Sequence, residues 1–196
     1  MSKKQTYGER IIALVDQMKV NGEDMRIWAN IPLAKEALKL IRTIPEEEQE
    51  TDLGKAYALN AVMEKLSEYD TPRLALEILR QELEYLRSSE EKSDWLTEED
   101  ILADIARLED YIDLSIPNSE FAKKHFRHLE FDPVERTPEW EENIYEAELE
   151  ADKKLGRTPR GMGFCFAHWP ELKRALAKRG IKWQTPHELN PRVMFD

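Results

Sequence analysis

The chain has 196 residues, 35% of them charged, with a formal charge of −11 and a single cysteine, Cys165. This length suits one ordinary domain, the composition argues against a disordered tail, and one cysteine excludes an intramolecular disulfide and an all-cysteine zinc site. The longest apolar run, residues 11–15, is too short for a membrane span, and residues 1–20 lack a signal-peptide pattern, so we expect a cytoplasmic protein with no membrane partner.

Helical periodicity with clear stop signals dominates the first third of the chain. Apolar positions from residue 7 to residue 18 predict a first helix, which Asn21-Gly22 is expected to end. Pro32 suits the first turn of a second helix, because that position needs no backbone N–H. Residues 52–66 carry apolar positions on more than one stripe, which predicts a central helix contacted from two sides.

Thr-Pro pairs mark further helix starts, because Thr caps exposed N–H groups and the Pro dihedral already suits a first turn. The pairs at residues 71–72, 137–138 and 185–186 are predicted to open helices, the last of only a turn or two. The fourth pair, at 158–159, runs into a glycine-rich stretch and predicts a turn.

Three more helices are predicted between and after these starts. One follows Thr97 and extends to Ile112, and a shorter one after Pro117 has the apolar stripe Phe121, Ala122, Phe126 and Leu129. The last runs from about Cys165 to Arg179, with Trp169, Leu172 and Leu176 facing inward and Gly180 at its end. Strand signals are thin and are limited to residues 181–183 and 192–195.

These patterns predict an all-α protein, a compact multi-helix bundle of about seven helices. No fixed period recurs, so a bundle is favoured over a stacked repeat array. We expect residues 1–156 to form an acidic helical bundle. Residues 157–196 are expected to form a less regular, basic, aromatic-containing segment that packs on the bundle within one structural domain.

Charge is distributed unevenly along the chain. Residues 1–152 hold 19 Lys/Arg and 37 Asp/Glu, a balance of −18, whereas residues 153–196 hold 10 Lys/Arg and 3 Asp/Glu, a balance of +7. In the favoured interpretation the basic segment docks on acidic helices of its own chain, with its aromatic residues supplying apolar contact. In the alternative, the segment binds an anion or a nucleic acid.

The anion interpretation has a specific set of candidate residues at and after the predicted turn. Basic side chains attract phosphate, and glycines free backbone N–H groups to cradle an anion. The net charge of −11 disfavours nucleic acid, because most of the chain would repel phosphate. The candidate anion-binding residues are Arg157, Arg160, Gly161, Gly163, Lys173 and Arg174.

Cys165 and His168 are candidates for thiolate chemistry. Their spacing places them on one face if a helix begins at or before Cys165, and a helix N-terminus beside Arg and His would favour the thiolate. The phosphatase pattern has an Arg six positions after the Cys. Glu171 occupies that position after Cys165, so the pattern is absent. A small buried hydrophobic role is favoured for this cysteine.

His125 and His128 are candidates for metal binding, because their spacing could place two imidazoles on one helical face. The sequence contains neither the Glu-x-x-His pair of di-iron bundles nor a His-Glu-x-x-His motif. His125 also lies on the predicted apolar stripe, so a hydrogen-bonded core histidine is favoured. No cofactor is predicted.

By elimination, the sequence favours a noncatalytic protein–protein interaction or scaffolding protein. A protein partner is expected, and the acidic surface of residues 1–152 should prefer basic protein surfaces. A homo-oligomer is an open alternative. The competing interpretation is phosphate-ligand or RNA binding, or thiolate chemistry, at the Arg157–His168 loop.

Overall fold

A computed structural model describes residues 5–48 and 50–195 of the chain. Over these residues the regular structure is helical and no strand forms, which confirms the predicted all-α class. The helices are α1 (Tyr7–Glu23), α2 (Asn30–Arg42), α3 (Asp52–Met63), α4 (Pro72–Ser88), α5 (Glu98–Ile112), α6 (Asn118–Lys124), α7 (Pro138–Leu155), α8 (Phe164–Lys178) and α9 (Pro186–Leu189). The described residues therefore hold nine α-helices instead of about seven, and the thin strand signals at residues 181–183 and 192–195 correspond to irregular backbone.

The chain divides into two compact units, unit 1 (Met1–Leu108) and unit 2 (Glu109–Asp196), and the division falls within α5. The predicted boundary between the acidic bundle and the basic segment, at residues 156 and 157, is based on charge and differs from this division. It stays a prediction. The helices on either side of that boundary, α7 and α8, pack against each other in unit 2. Within residues 5–48 and 50–195, no helix combines the length and apolar character needed to cross a membrane.

Two of the three Thr-Pro pairs that were predicted to open helices cap them with the threonine side chain. The Thr137 side chain accepts a hydrogen bond from the N–H of Trp140, and Thr185 forms a capping box with Glu188. Thr71 differs, because its hydroxyl donates to the Ser67 carbonyl at 3.2 Å instead of capping α4. The first turn of α4 therefore depends on Pro72 at N1, as the Thr-Pro pattern also allows.

In unit 1, α3 is the central helix. It contacts α1, α2 and α4 and buries apolar side chains along its length, which confirms the prediction of a helix touched from two sides. The fully buried Asn30 ties these elements together. Its Nδ2 donates to the carbonyls of Met18 at 3.0 Å and Lys65 at 2.7 Å, and its Oδ1 accepts from Asn21 at 2.8 Å. Because both amide protons and the carbonyl are used, the buried amide is satisfied.

Glu82 is a buried carboxyl on α4 in unit 1. Its side chain is 0% exposed, and neither carboxyl oxygen has a hydrogen-bond partner among the described residues. Burial raises the pKa of Glu82 to about 7, and the negative charge of Asp104 on α5 adds to the shift. The Asn60 amide on α3 opposes the shift without reaching hydrogen-bonding geometry. Glu82 is therefore a proton-binding group inside a helical core.

Arg136 is the corresponding buried charge of unit 2, at 2% exposure. It lies at the end of a short 3₁₀ turn that leads into α7. Its guanidinium donates at 2.5 to 3.2 Å to the carbonyl oxygens of Asp110, Tyr111, Asp113 and Ile116 and to Asn118 Oδ1. The carbonyls at the C-terminus of α5 lack helical N–H partners, so one side chain satisfies groups that the helix leaves open.

α1 ends later than the sequence predicts. Instead of stopping at Asn21-Gly22, the helix continues to Glu23, because Met25 takes the left-handed position with φ 55°. The N–H of Arg26 then donates to the Asn21 carbonyl at 2.7 Å. This six-to-one hydrogen bond is the Schellman arrangement, in which glycine is the usual left-handed residue.

α6 ends earlier than the sequence predicts, at Lys124, and residues up to Leu129 are not helical. Phe126 adopts φ 54°, and the N–H of Arg127 donates to the Ala122 carbonyl at 2.8 Å, which closes the helix. Phe126 is 83% exposed as a result. The prediction that placed Phe126 on a buried helical stripe is therefore wrong, because the backbone turns left-handed at that residue.

Replacing Phe126 by asparagine is expected to stabilise unit 2 by up to about 1 kcal/mol, because asparagine tolerates left-handed backbone better than phenylalanine does. Little apolar burial is lost with so exposed a ring. The measurement is the free energy of opening of α6 amides by native-state hydrogen exchange. Leu114→Asn, another exposed apolar side chain of unit 2, is the matched control and should give no gain. A loss of protection in Phe126→Asn would contradict the strain assignment.

Candidate protein-interaction surface

Residues 157–163 connect α7 to α8 and hold four of the predicted anion-binding residues. Arg157 and Gly161 are exposed, and Gly163 adopts φ 77° immediately before α8. The Arg160 guanidinium forms an ion pair with Asp152 on α7 and lies 4.8 Å from the centroid of the Phe164 ring. The Arg160 side chain is thus directed onto α7 and α8 and away from solvent.

The two remaining anion candidates lie on α8 and have carboxylate partners within unit 2. Lys173 Nζ is 2.6 Å from both carboxylate oxygens of Glu188, and Arg174 pairs with Glu171 one turn earlier on the same helix. Lys173 lowers the pKa of Glu188, as an adjacent cation favours the carboxylate form. An anionic ligand would have to compete with these carboxylates, so the predicted set does not form one open cradle.

Ion pairs also join α8 to the acidic helix α7. Glu150 on α7 accepts from Lys178 and, at 3.1 Å, from Arg179. These two cations, Lys178 first, lower the pKa of the Glu150 carboxyl. Part of the positive charge of the C-terminal segment is therefore paired with carboxylates of unit 2, which is the kind of contact that the intramolecular interpretation expects.

Cys165 and His168 lie in the first turns of α8, as their spacing predicts, and both are half-buried. His168 Nε2 is 2.6 Å from Glu148 Oε2 on α7, and its ring stacks on Phe164 with centroids 5.6 Å apart. The Nε2 atom is therefore engaged by a carboxylate twenty residues away in the sequence. This contact orients the imidazole toward α7, which local spacing alone could not reveal.

His125 and His128 lie beyond the end of α6, so the predicted presentation of two imidazoles on one helical face is wrong. His125 Nε2 is 2.7 Å from Asp110 Oδ2, an atom that Lys124 also approaches at 2.6 Å. Lys124 and His125 together lower the pKa of Asp110. Within residues 5–48 and 50–195, no three His, Cys, Asp or Glu side chains form a group that could hold a metal ion.

Four aromatic rings of unit 2 form a cluster at the surface, here named the aromatic patch and defined as Phe166, Trp169, His187 and Phe195. The ring centroids of Phe166 and Trp169 are 5.9 Å apart, and those of Trp169 and Phe195 are 5.1 Å apart. His187 lies edge-on to Phe166 at 5.5 Å. These are edge-to-face contacts of the kind that aromatic pairs prefer, so the patch is an ordered surface.

The aromatic patch is accessible to solvent. Phe166 is 48% exposed, His187 is exposed, and Trp169 is half-buried, in contrast to the inward-facing position predicted for that tryptophan. Two methionines occupy the chain segments next to the patch: Met162 precedes α8 and is 91% exposed, and Met194 precedes Phe195 and is 94% exposed. The spacing of Phe166 and Trp169 is a helical signal for one face, but nothing in the local sequence indicates His187.

α9 positions His187 in the aromatic patch. The capping box between Thr185 and Glu188 starts this one-turn helix, and Asn190 ends it by donating to the Pro186 carbonyl at 2.9 Å. Asn190 also binds the backbone of Glu130 in both directions, at 2.9 and 2.8 Å. The patch is therefore anchored through α9 and the Asn190 side chain to the chain segment at Glu130.

Comparisons of the chain with protein-family models, curated proteins and solved structures find no match. The function of this surface is therefore inferred from its own residues alone.

Proposed function

We propose that this protein is a noncatalytic protein-interaction or scaffolding protein that acts in the cytoplasm and binds a partner protein through the aromatic patch. The observation that carries the proposal is the exposure of ordered aromatic rings in unit 2, with an almost fully exposed methionine in each of two adjoining stretches of the chain. Aromatic residues and methionine are enriched where proteins bind one another. Exposed apolar surface of this kind is the usual mark of an interaction site.

The charges near the aromatic patch support an apolar mode of binding. Lys173 is paired with Glu188 beside His187, and Arg174 is paired with Glu171, so both cations already have carboxylate partners. Association through the patch should therefore depend weakly on ionic strength. Binding of a basic partner to the acidic surface of residues 1–152 would instead weaken strongly as salt is added.

Anion or RNA binding and thiolate chemistry at the Arg157–His168 loop have less support. Arg160, Lys173 and Arg174 are engaged by carboxylates, and His168 is engaged by Glu148. Arg157 is exposed, so a substitution there tests anion or RNA binding directly. Phosphate or RNA binding that Arg157→Glu abolishes would support the alternative, because a reversed charge repels phosphate.

The double substitution Phe166→Ser and His187→Ser is expected to lower the amount of partner protein that binds by about tenfold or more. The reason is that these two side chains form the exposed half of the aromatic patch. Both are surface residues, so the fold should persist. The measurement is quantitative capture from a cell extract, with cross-linking to show that the recovered protein lies against α8 or α9. Ile12→Ser, an exposed apolar side chain in unit 1, is the matched control.

Three results would contradict the proposal. The double variant could recover the partner as well as the unchanged protein does, or added salt alone could release the partner. Sedimentation of the purified protein could also show self-association that the double variant removes, in which case the patch binds a second copy instead of a different protein.

A further inference from the structure

We propose that unit 2 also binds a small uncharged alcohol with an aromatic or branched aliphatic body, in a cavity beside α6. The cavity has a volume of about 390 Å³ and is open to solvent on one side. Sites for small ligands have volumes of about 300 to 1,000 Å³ and combine an apolar lining with a few convergent polar groups. None of the residues that line the cavity belongs to the aromatic patch, so this site adds a second binding function to the proposed interaction.

An apolar wall selects the body of the ligand. Phe131, which is buried, supplies an aromatic surface, and Leu129, which is 39% exposed, supplies an aliphatic surface that water reaches. The rest of the apolar lining comes from Ala122, Pro133 and Leu189. An aromatic or branched aliphatic ligand body removes this surface from water, which is the main favourable contribution to the binding of an apolar ligand.

Arg127 and Glu130, which line the cavity and have opposite charges, together disfavour a charged ligand. Arg127 already has an interaction partner in the protein and its Nη1 is fully buried, so it is not available to pair with a ligand carboxylate. Its guanidinium carbon lies 4.3 Å from the centroid of the Phe131 ring, where its charge repels a ligand cation. The Glu130 carboxylate repels a ligand anion. An uncharged ligand avoids both repulsions and is the least costly to remove from water.

Three polar side chains at the cavity are available to a ligand hydroxyl group. Among the residues that the structure describes, the side chains of Ser119, His128 and Glu130 have no hydrogen-bond or ion-pair partner. A carboxylate accepts hydrogen bonds, and a serine hydroxyl both accepts and donates them. An alcohol also donates and accepts through a single oxygen, so its hydroxyl group can donate to Glu130 and accept from Ser119.

The protein holds the cavity wall in place without a ligand. Five consecutive residues, 127–131, line the cavity, and they follow the left-handed backbone at Phe126 that ends α6. Asn190 fixes this segment through two hydrogen bonds to the Glu130 backbone, at 2.9 and 2.8 Å. Asn118 Nδ2 donates to the carbonyl of the following residue at 2.8 Å. Because the wall is already ordered, little conformational entropy is lost when a ligand binds.

The test is a titration of the whole protein with three ligands that share one body and differ in the head group: phenylbutanol, phenylbutyrate and phenylbutylamine. Calorimetry gives the affinities, and we expect saturable one-to-one binding of phenylbutanol with amide shifts centred on Ala122, Leu129 and Leu189. Phenylbutyrate should bind about tenfold or more weakly than phenylbutanol, because its carboxylate loses hydration and is repelled by Glu130. Phenylbutylamine should bind about threefold or more weakly than phenylbutanol, because Arg127 repels it and an exposed ion pair contributes little.

Glu130→Gln separates charge from hydrogen bonding, because the amide still accepts a hydrogen bond but carries no charge. Phenylbutanol affinity should change by less than about threefold in this variant. The preference for phenylbutanol over phenylbutyrate should narrow by about threefold or more, because the repulsion of the anion is lost. Glu142→Gln, at an exposed glutamate on α7, is the matched control and should leave this preference unchanged. Ala122→Phe should abolish phenylbutanol binding by filling the cavity.

Tighter binding of either charged ligand than of phenylbutanol would overturn the inference, as would a lack of saturable phenylbutanol binding. An unchanged preference over phenylbutyrate in Glu130→Gln would also overturn it. These comparisons use the unchanged protein and a variant at an exposed position, so they do not depend on the folding of Ala122→Phe. The Phe166 and His187 double variant should retain phenylbutanol binding, so failure of this inference and failure of the proposed function are distinguishable.

Discussion

Replacing Arg136 by methionine is expected to lower the free energy of unfolding of unit 2 by about 3 to 5 kcal/mol. Methionine fills much of the same volume but donates no hydrogen bond. The change would leave the buried Tyr111 carbonyl of α5 without its side-chain donor and would remove four further hydrogen bonds, and an unpaired buried group costs about 1 to 3 kcal/mol unless water reaches it. This is a large fraction of the stability of a typical domain.

Native-state hydrogen exchange is the suitable measurement, because it reports on the two units separately. Amides of α7 should lose protection in Arg136→Met, and amides of α3 in unit 1 serve as the internal reference. Arg157→Met, at an exposed position of unit 2, should change little and controls for the substitution itself. Arg136→Lys should lie between the two, because one ammonium group cannot reach five acceptors. A loss under about 1 kcal/mol in Arg136→Met would show that the carbonyls find other donors.

Replacing Glu82 by glutamine is expected to stabilise unit 1 by about 2 to 3 kcal/mol near pH 8 and by little near pH 4.5. The sign follows from proton binding. Glu82 has a pKa of about 7 in the folded chain against 4.5 when unperturbed, so between these values the folded state holds a proton that the unfolded state has released. Stability therefore falls as the pH rises from about 4.5 to about 7 and then levels off.

Urea unfolding at a series of pH values measures this dependence. Glu82→Gln should remove the part of the decline between about pH 4.5 and pH 7, because glutamine does not ionise. Glu84→Gln is the matched control: Glu84 lies on the exposed side of α4, two residues away, so its replacement should preserve the decline. Identical pH profiles for Glu82→Gln and the unchanged protein would mean that Glu82 ionises at its ordinary pKa.

The helices were the most predictable part of the fold, because apolar spacing and Thr-Pro pairs are local signals. Gly180 ends α8 as predicted, with φ 80°. The end of α6 was not predictable in the same way. Phe126 takes the position that glycine usually takes, and local propensity gives no reason to expect a left-handed phenylalanine.

The buried charges and the partners of the candidate site residues escaped prediction for a different reason. Glu82 and Arg136 occupy interior positions, whereas sequence patterns assign charged residues to the surface. Local spacing placed His168 near Cys165, but its partner Glu148 lies on another helix. Such long-range pairs depend on tertiary packing. The sequence pattern could therefore identify the candidate residues but not the residues they contact.

The Asn190 contact with Glu130 has a consequence for the order of folding. It joins residues 60 positions apart, so it closes a long loop whose entropic cost must be met before the contact contributes stability. At synthesis rates of about 5 to 20 residues per second, Glu130 leaves the ribosome seconds before Asn190 exists. The Glu130 backbone can therefore gain this pair of hydrogen bonds only after Asn190 has been synthesised.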